Sequence, residues 1–176
     1  MRKTKRFSIL RSIIEVEDLL DGKLPENECY KFITNGGYSS ISFVMYICDR
    51  VKVKEAFFSS LRVGKNELRY LDLLKREGKL DKCNFIVGGI MRGDKKQESK
   101  YGYYEDLVRV CESNGWRIAE QKNHSKLLLF DTDSGKFVIE TSSNLNENPS
   151  IEQFSFEKDK ELFNFYKRWF MQMLRG

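Results

Sequence analysis

The sequence predicts one α/β domain, with helices covering a largely buried sheet. Two observations carry this. Strand-like and helix-like segments alternate from Tyr30 to Gly115, the pattern of layered α/β proteins. Phe85-Ile86-Val87 is fully apolar and runs into Gly88-Gly89, as expected of a strand covered on both faces. A length of 176 residues supports one good core and is short for two ordinary domains. No repeat or linker-like stretch divides it, so residues 1–176 are expected to form a single domain.

The elements follow in order. Arg2, Lys3, Lys5 and Arg6 make a basic tip, residues 1–6, expected to be flexible and solvated. Ile9, Ile13, Val16 and Leu20 recur on one face and predict a helix over Ser8–Leu20, broken by Gly22 and Pro25. Tyr30 to Thr34 reads as a short strand. The Asn35-Gly36-Gly37 turn after it lacks the full pattern of a phosphate-binding loop, so a plain turn is expected. Ile41, Val44, Met45 and Cys48 form the next helical stripe. A strand centred on Ala56-Phe57-Phe58 leads through Ser59-Ser60-Leu61-Arg62 to a helix over 65–77, with Leu68, Leu71 and Leu74 inward.

Beyond the Phe85–Val87 strand, Arg92–Lys100 is a charge-rich loop with the composition of a basic substrate contact or a solvated turn. Tyr104, Leu107, Val108 and Cys111 mark another amphipathic helix, closed by Asn114-Gly115. The last helix, Lys158 to Leu174, presents Leu162, Phe165, Tyr166, Trp169, Phe170 and Met173 at helical spacing. Core packing is expected there, and so wide an aromatic face also suits a second copy of the chain.

Composition narrows the chemistry. A net charge of +5 fits a nucleic-acid partner without requiring one. Cys29, Cys48, Cys83 and Cys111 are widely spaced in apolar segments, which predicts buried free thiols rather than zinc ligands or disulfides. The N-terminus lacks a signal-peptide pattern, and no apolar run approaches the ~20 residues that span a bilayer. A cytoplasmic protein without stable membrane association is expected, with no metal or cofactor.

Polar chemistry concentrates in residues 124–152, around the only histidine in the sequence. Side chains two apart on a strand share a face, so His124 and Lys126 are expected to point one way while Leu127 and Leu129 anchor the other. Asp131 ends this strand. Thr132-Asp133-Ser134-Gly135 has hairpin composition, and a returning strand over Phe137–Thr141 would bring Ser142 and Asn144 back beside His124. A neutral imidazole is a competent nucleophile toward phosphorus. Lys126 offers fixed positive charge, and Ser142 and Asn144 offer donors to phosphoryl oxygens. No serine–base pairing favours acyl transfer. The residues taken one by one leave open a structural role for His124.

His124-Ser125-Lys126-Leu127-Leu128-Leu129-Phe130-Asp131 matches HxKxxxxD and resembles the HKD motif of the phospholipase D superfamily. Thr141-Ser142-Ser143-Asn144-Leu145-Asn146 is similar to that family's GSxN segment, and Ile151-Glu152-Gln153 to its glutamate-bearing strand. The resemblance covers roughly the last third of the chain. It implies a phospholipase D-like α/β/α sandwich with a central mixed β-sheet. It also implies a phosphodiesterase whose catalytic residues are His124, Lys126, Asp131, Ser142, Asn144 and Glu152. In those roles His124 is the nucleophile or the acid, while Lys126, Ser142 and Asn144 hold phosphate. Glu152 orients the histidine, and Asp131 holds the motif's backbone.

Two features depart from the family pattern. Thr141 stands where glycine is usual, which would crowd the phosphate pocket, and the link from Asp131 to Ser142 is longer. The family mechanism uses two histidines, so a chain with one implies a homodimer with a composite site. Small single-motif members are commonly nucleases, which makes DNA or RNA the expected substrate. A phospholipid substrate and a non-catalytic nucleic-acid-binding module with the same fold are the alternatives.

Overall fold

The computed structural model describes residues 3–10, 13–91, 103–146 and 149–175. Its elements run β1 (Thr4–Leu10), α1 (Ile13–Leu19), β2 (Glu28–Thr34), α2 (Ile41–Cys48), β3 (Val53–Ser60), α3 (Lys65–Arg76) and β4 (Leu80–Gly88). A 3-10 turn (Gly89–Met91), α4 (Tyr103–Asn114), β5 (Arg117–Gln121), β6 (Leu127–Thr132), β7 (Gly135–Thr141), β8 (Gln153–Lys158) and α5 (Lys160–Met173) complete the chain. The basic cluster predicted over Arg92–Lys100 lies outside the described residues.

The strands form one eight-stranded mixed sheet in the order β1-β2-β8-β7-β6-β3-β4-β5. β1 and β2 are parallel, as are β3, β4 and β5. The antiparallel meander β6-β7-β8 sits between these blocks, pairing β6 with β3 and β8 with β2. Alternation along each strand sends side chains to two different layers. Phe58, Phe85, Leu128, Phe130, Phe137, Ile139, Phe154 and Phe156 pack with residues of α1–α4. Phe57, Ile86, Leu127, Leu129 and Val138 face the other way, against Phe163 and Phe170 of α5. This is an α/β/α sandwich about a central mixed sheet, the architecture expected.

Several expectations change in detail. Ser8–Leu10 is strand, not the start of a helix, and α1 begins at Ile13. The residues expected as a flexible tip are built into the sheet from Thr4 onward. Just before them, Lys3 Nζ reaches Glu157 (2.8 Å) and Asp159 (2.5 Å). Edge strands commonly carry such charges, and Lys5, Phe7 and Ile9 alternate with period two. Ile9 therefore fits a helical stripe only by coincidence of spacing. In α5 the fully buried contacts are Phe163 and Phe170, whereas Phe165, expected inward, is exposed. All four cysteines are free and buried. Burial pushes the Cys48 and Cys111 thiols up to about 12, which leaves them neutral packing groups.

Candidate active site

One edge of the sheet collects the motif residues. At this edge β1 to β5 and β7 end, and β6 and β8 begin. The crevice outside the carboxyl ends of parallel strands is the general ligand position in open α/β sheets. His124, Lys126, Ser142, Asn144 and Glu152 all lie in the segments that flank it.

His124 is exposed and stands in a loop rather than a strand, because β6 begins only at Leu127. The reason is local. Asn123 Oδ1 accepts the Ser125 N–H at 3.0 Å, an Asx-type turn that replaces ladder bonding. Lys126 Nζ folds back to donate to the His124 carbonyl at 2.9 Å, so the two side chains are placed by this turn and not by strand alternation. His124 lines an open cleft of about 780 Å³ together with Leu61, Gly89, Ile90, Glu120 and Lys122.

Leu127 and Leu129 do anchor the strand, in the core beneath α5. The hairpin turns at Asp133-Ser134 and pairs from Leu127↔Glu140 to Thr132↔Gly135, returning the chain to the same edge. There the Thr141 N–H donates to the Lys126 carbonyl at 3.3 Å. The departure at Thr141 has a local use: its Oγ1 accepts the Ser143 N–H at 2.9 Å and shapes the turn that follows. Asn144 Oδ1 accepts the Leu61 N–H at 3.2 Å. With its oxygen so held, the amide NH2 of Asn144 is the end that can donate to a ligand.

Glu152 is buried immediately before β8. Its N–H donates to Thr34 Oγ1 (3.0 Å) and its carbonyl accepts the Thr34 N–H (2.8 Å). The Ser142 hydroxyl donates to the Glu152 carboxylate and accepts the Gln153 N–H at 3.0 Å. The preceding loop lies against the Gly36 turn, where a Cβ would collide with the Pro149 carbonyl and φ is +92°. Only glycine suits both conditions. Asp131 is the exception among the motif residues. It sits at the far end of β6, paired with Lys136 at 2.6 Å across the hairpin, and the structure does not bring it to the edge.

Three residues without a sequence assignment support this edge. The buried Asn123 donates to Ser59 Oγ (3.0 Å), the Ser60 carbonyl (3.3 Å) and the Ile86 carbonyl (3.1 Å). Ser59 Oγ also meets Ser125 Oγ at 2.6 Å, and Ser60 Oγ accepts the Leu145 N–H at 2.9 Å. The Ser59-Ser60 pair is visible in the sequence at a strand end. Asn123 carries the signal of an asparagine two residues before a turn donor. Among the described residues, no group of three or more His, Cys, Asp or Glu side chains is arranged to hold a metal ion. No helix of the described residues is long and apolar enough to cross a membrane.

No protein-family model matches the sequence, and no curated protein does. Solved structures do match. A phospholipase D family member, Nuc, from Salmonella typhimurium aligns over 82% of this chain and 92% of its own, with TM-score 0.60 and 13% identity. The polyphosphate kinase of Porphyromonas gingivalis aligns over 82% of this chain with TM-score 0.60 and 18% identity, this chain spanning 26% of that enzyme. The phosphatidylserine synthase of Haemophilus influenzae Rd KW20 aligns over 84% with TM-score 0.55 and 15% identity, this chain spanning 38% of it. At such identities the likeness speaks for the fold, and the chain has the fold of the phospholipase D superfamily.

Proposed function

We propose that this chain is a phosphodiesterase that cleaves nucleic acid without a metal ion, through a phosphohistidine intermediate, in a site completed by a second copy. The observation that carries this is the gathering of His124, Lys126, Ser142, Asn144 and Glu152 at one strand edge of a phospholipase D fold. In the first step a His124 ring nitrogen bonds to phosphorus and the ester oxygen leaves, taking a proton from the second copy's histidine. In the second step water attacks phosphorus, giving its proton back to that histidine, and the N–P bond breaks. Lys126, Asn144 and Ser142 neutralise charge on the phosphoryl oxygens, while Glu152 orients and polarises the imidazole. Asp131 supports the motif from a distance, through its pairing with Lys136.

The substrate assignment rests on the net charge of +5 and on the resemblance to small single-motif nucleases. The test is cleavage of DNA, RNA and phosphatidylcholine in parallel, with a chelator present. Cleavage of nucleic acid is expected to survive chelation and to fall at least about 1000-fold in His124→Ala. Phosphate trapped on His124 by acid-labile labelling would accompany it. Cleavage that appears only on adding a divalent metal would overturn the mechanism. Turnover of lipid alone would move the substrate, and salt-dependent binding without cleavage would make the chain a binding module.

A further inference from the structure

Asn123 lies outside the HxKxxxxD motif, yet its side chain is engaged at both ends. It is 8% exposed. The amide nitrogen has three acceptors, on β3 and β4: Ser59 Oγ, the Ser60 carbonyl and the Ile86 carbonyl. The amide oxygen accepts two bonds from the next turn, the Ser125 N–H at 3.0 Å and Ser125 Oγ at 2.7 Å. An amide offers two donors and one carbonyl with two lone pairs, so these contacts use its full capacity. Gly88 permits this closeness, since a Cβ there would stand 2.5 Å from Leu61 Cδ1 and 3.1 Å from the Asn123 carbonyl.

We propose that Asn123 is a positioning residue that ties the His124–Lys126 loop to the ends of β3 and β4 and thereby sets where the imidazole stands. This rests on the phosphodiesterase assignment above. Residues 123–126 lie between β5 and β6 and belong to neither. Besides the Thr141 N–H to Lys126 carbonyl bond, their place is fixed by this side chain and by the Ser59–Ser125 hydroxyl pair. An in-line attack on phosphorus tolerates little error, and a displacement of about 1 Å costs about 100-fold in rate. The same strand end also holds the Asn144 turn, through Ser60 Oγ to the Leu145 N–H. The nucleophile and the phosphate-binding amide are thus registered against one support.

The test compares Asn123→Ala, Asn123→Asp and Ser125→Ala with the wild-type protein, reading amide exchange as well as turnover. Asn123→Ala removes every bond that the Asn123 side chain makes. Its Ser125 amide is expected to exchange at least about tenfold faster while the β3 and β6 amides keep their protection. Its kcat is expected to fall about 100-fold with KM within about twofold, as for a misplaced rather than missing group. Asn123→Asp keeps the acceptor for Ser125 but loses both donors, so slow Ser125 exchange with reduced kcat is expected. Ser125→Ala, which should fold even if the Asn123 variants do not, is expected to lower kcat about tenfold. A folded Asn123→Ala with unchanged kcat and Ser125 exchange overturns the proposal. So does a uniform acceleration of exchange across the sheet, which marks a purely structural role. If the wild-type protein cleaves none of the substrates, the phosphodiesterase assignment fails and exchange alone decides. Acceleration confined to residues 124–126 then still supports the tether.

Discussion

At Glu152 the backbone and the side chain serve different ends. Thr34 grips the backbone on both sides, through Oγ1 and through its own N–H, so β2 sets where the residue stands. The carboxylate is directed at the site, where Ser142 donates to it. Glu152→Gln keeps the size and an oxygen that Ser142 can reach, and removes the charge. Under the proposed mechanism turnover falls about 10- to 100-fold while the far-UV spectrum stays that of the wild type. Unchanged turnover in steady-state assays would remove Glu152 from the chemistry. The motif letters themselves were legible in the sequence because their spacing is local. Asn123 and Ser59 were not, since their roles depend on the pairing of Ser59 with Leu127, residues 68 positions apart in the chain but neighbours in the sheet.

Helix α5 shows how a single cap joins two distant elements. Asp159 Oδ1 accepts the Glu161 and Leu162 N–H groups, both at 2.9 Å, and Oδ2 takes Lys3 at 2.5 Å. Burial pushes this carboxyl up, but the Lys3 bond and the two backbone bonds outweigh it and hold it below its ordinary 3.8. A depressed carboxyl contributes stability that is full above its unfolded value and lost as pH falls through the folded one. Asp159→Ala is therefore expected to cost about 1 kcal/mol at pH 7 in urea denaturation. The gap from wild type should be smaller at about pH 2 than at pH 7, because the charge of the cap is lost as pH falls through its depressed folded value. A gap of equal size at both pH values would show that packing, not the charged cap, carries the effect.

Helical and strand periods explain which elements could be read. α2, α3 and α4 have stripes long enough to be unambiguous. β1 does not, because Ile9 belongs to a two-residue and a four-residue pattern at once. β5, Arg117–Gln121, offers only Ile118 and Ala119 as apolar positions and no buried run, so it carries no clear strand signal. The expected aromatic stripe of α5 includes Phe170 but not Phe163, the other fully buried side chain of the helix. Phe163 is the central contact, packed on Phe57 and flanked by the Lys136 and Lys167 ammonium groups.

At the scale of the molecule, the fold class was legible and the strand order was not. Alternating helices and strands imply an α/β layer, but nothing local says that β6-β7-β8 will enter between β2 and β3. That depends on β2 meeting β8 across more than a hundred residues of chain, a choice decided by the whole core. The single histidine has its own large-scale consequence under the proposed mechanism. A mixed dimer of wild-type and His124→Ala chains holds one histidine and lacks either nucleophile or acid. After subunit exchange at equal amounts, random pairing leaves about half of the wild-type chains in intact dimers. Specific activity per wild-type chain should then fall to about half. Activity unaffected by the mixing, with exchange verified by light scattering of tagged chains, would indicate a site complete within one chain.

The last two residues of β3 also carry a parity. Phe57 points toward α5 and Phe58 toward the other helices, so Ser59 and Ser60 continue that alternation onto opposite faces of the sheet. The loop bearing His124 is fastened to Ser59, and the turn bearing Asn144 is fastened to Ser60. The two halves of the site therefore reach the same strand from its two sides. A slip of β3 by a single residue would offer one loop the other's hydroxyl and the other loop none, while sending Phe57 and Phe58 into each other's layer of the core. Correct strand register and a correctly assembled site are one and the same condition for this chain.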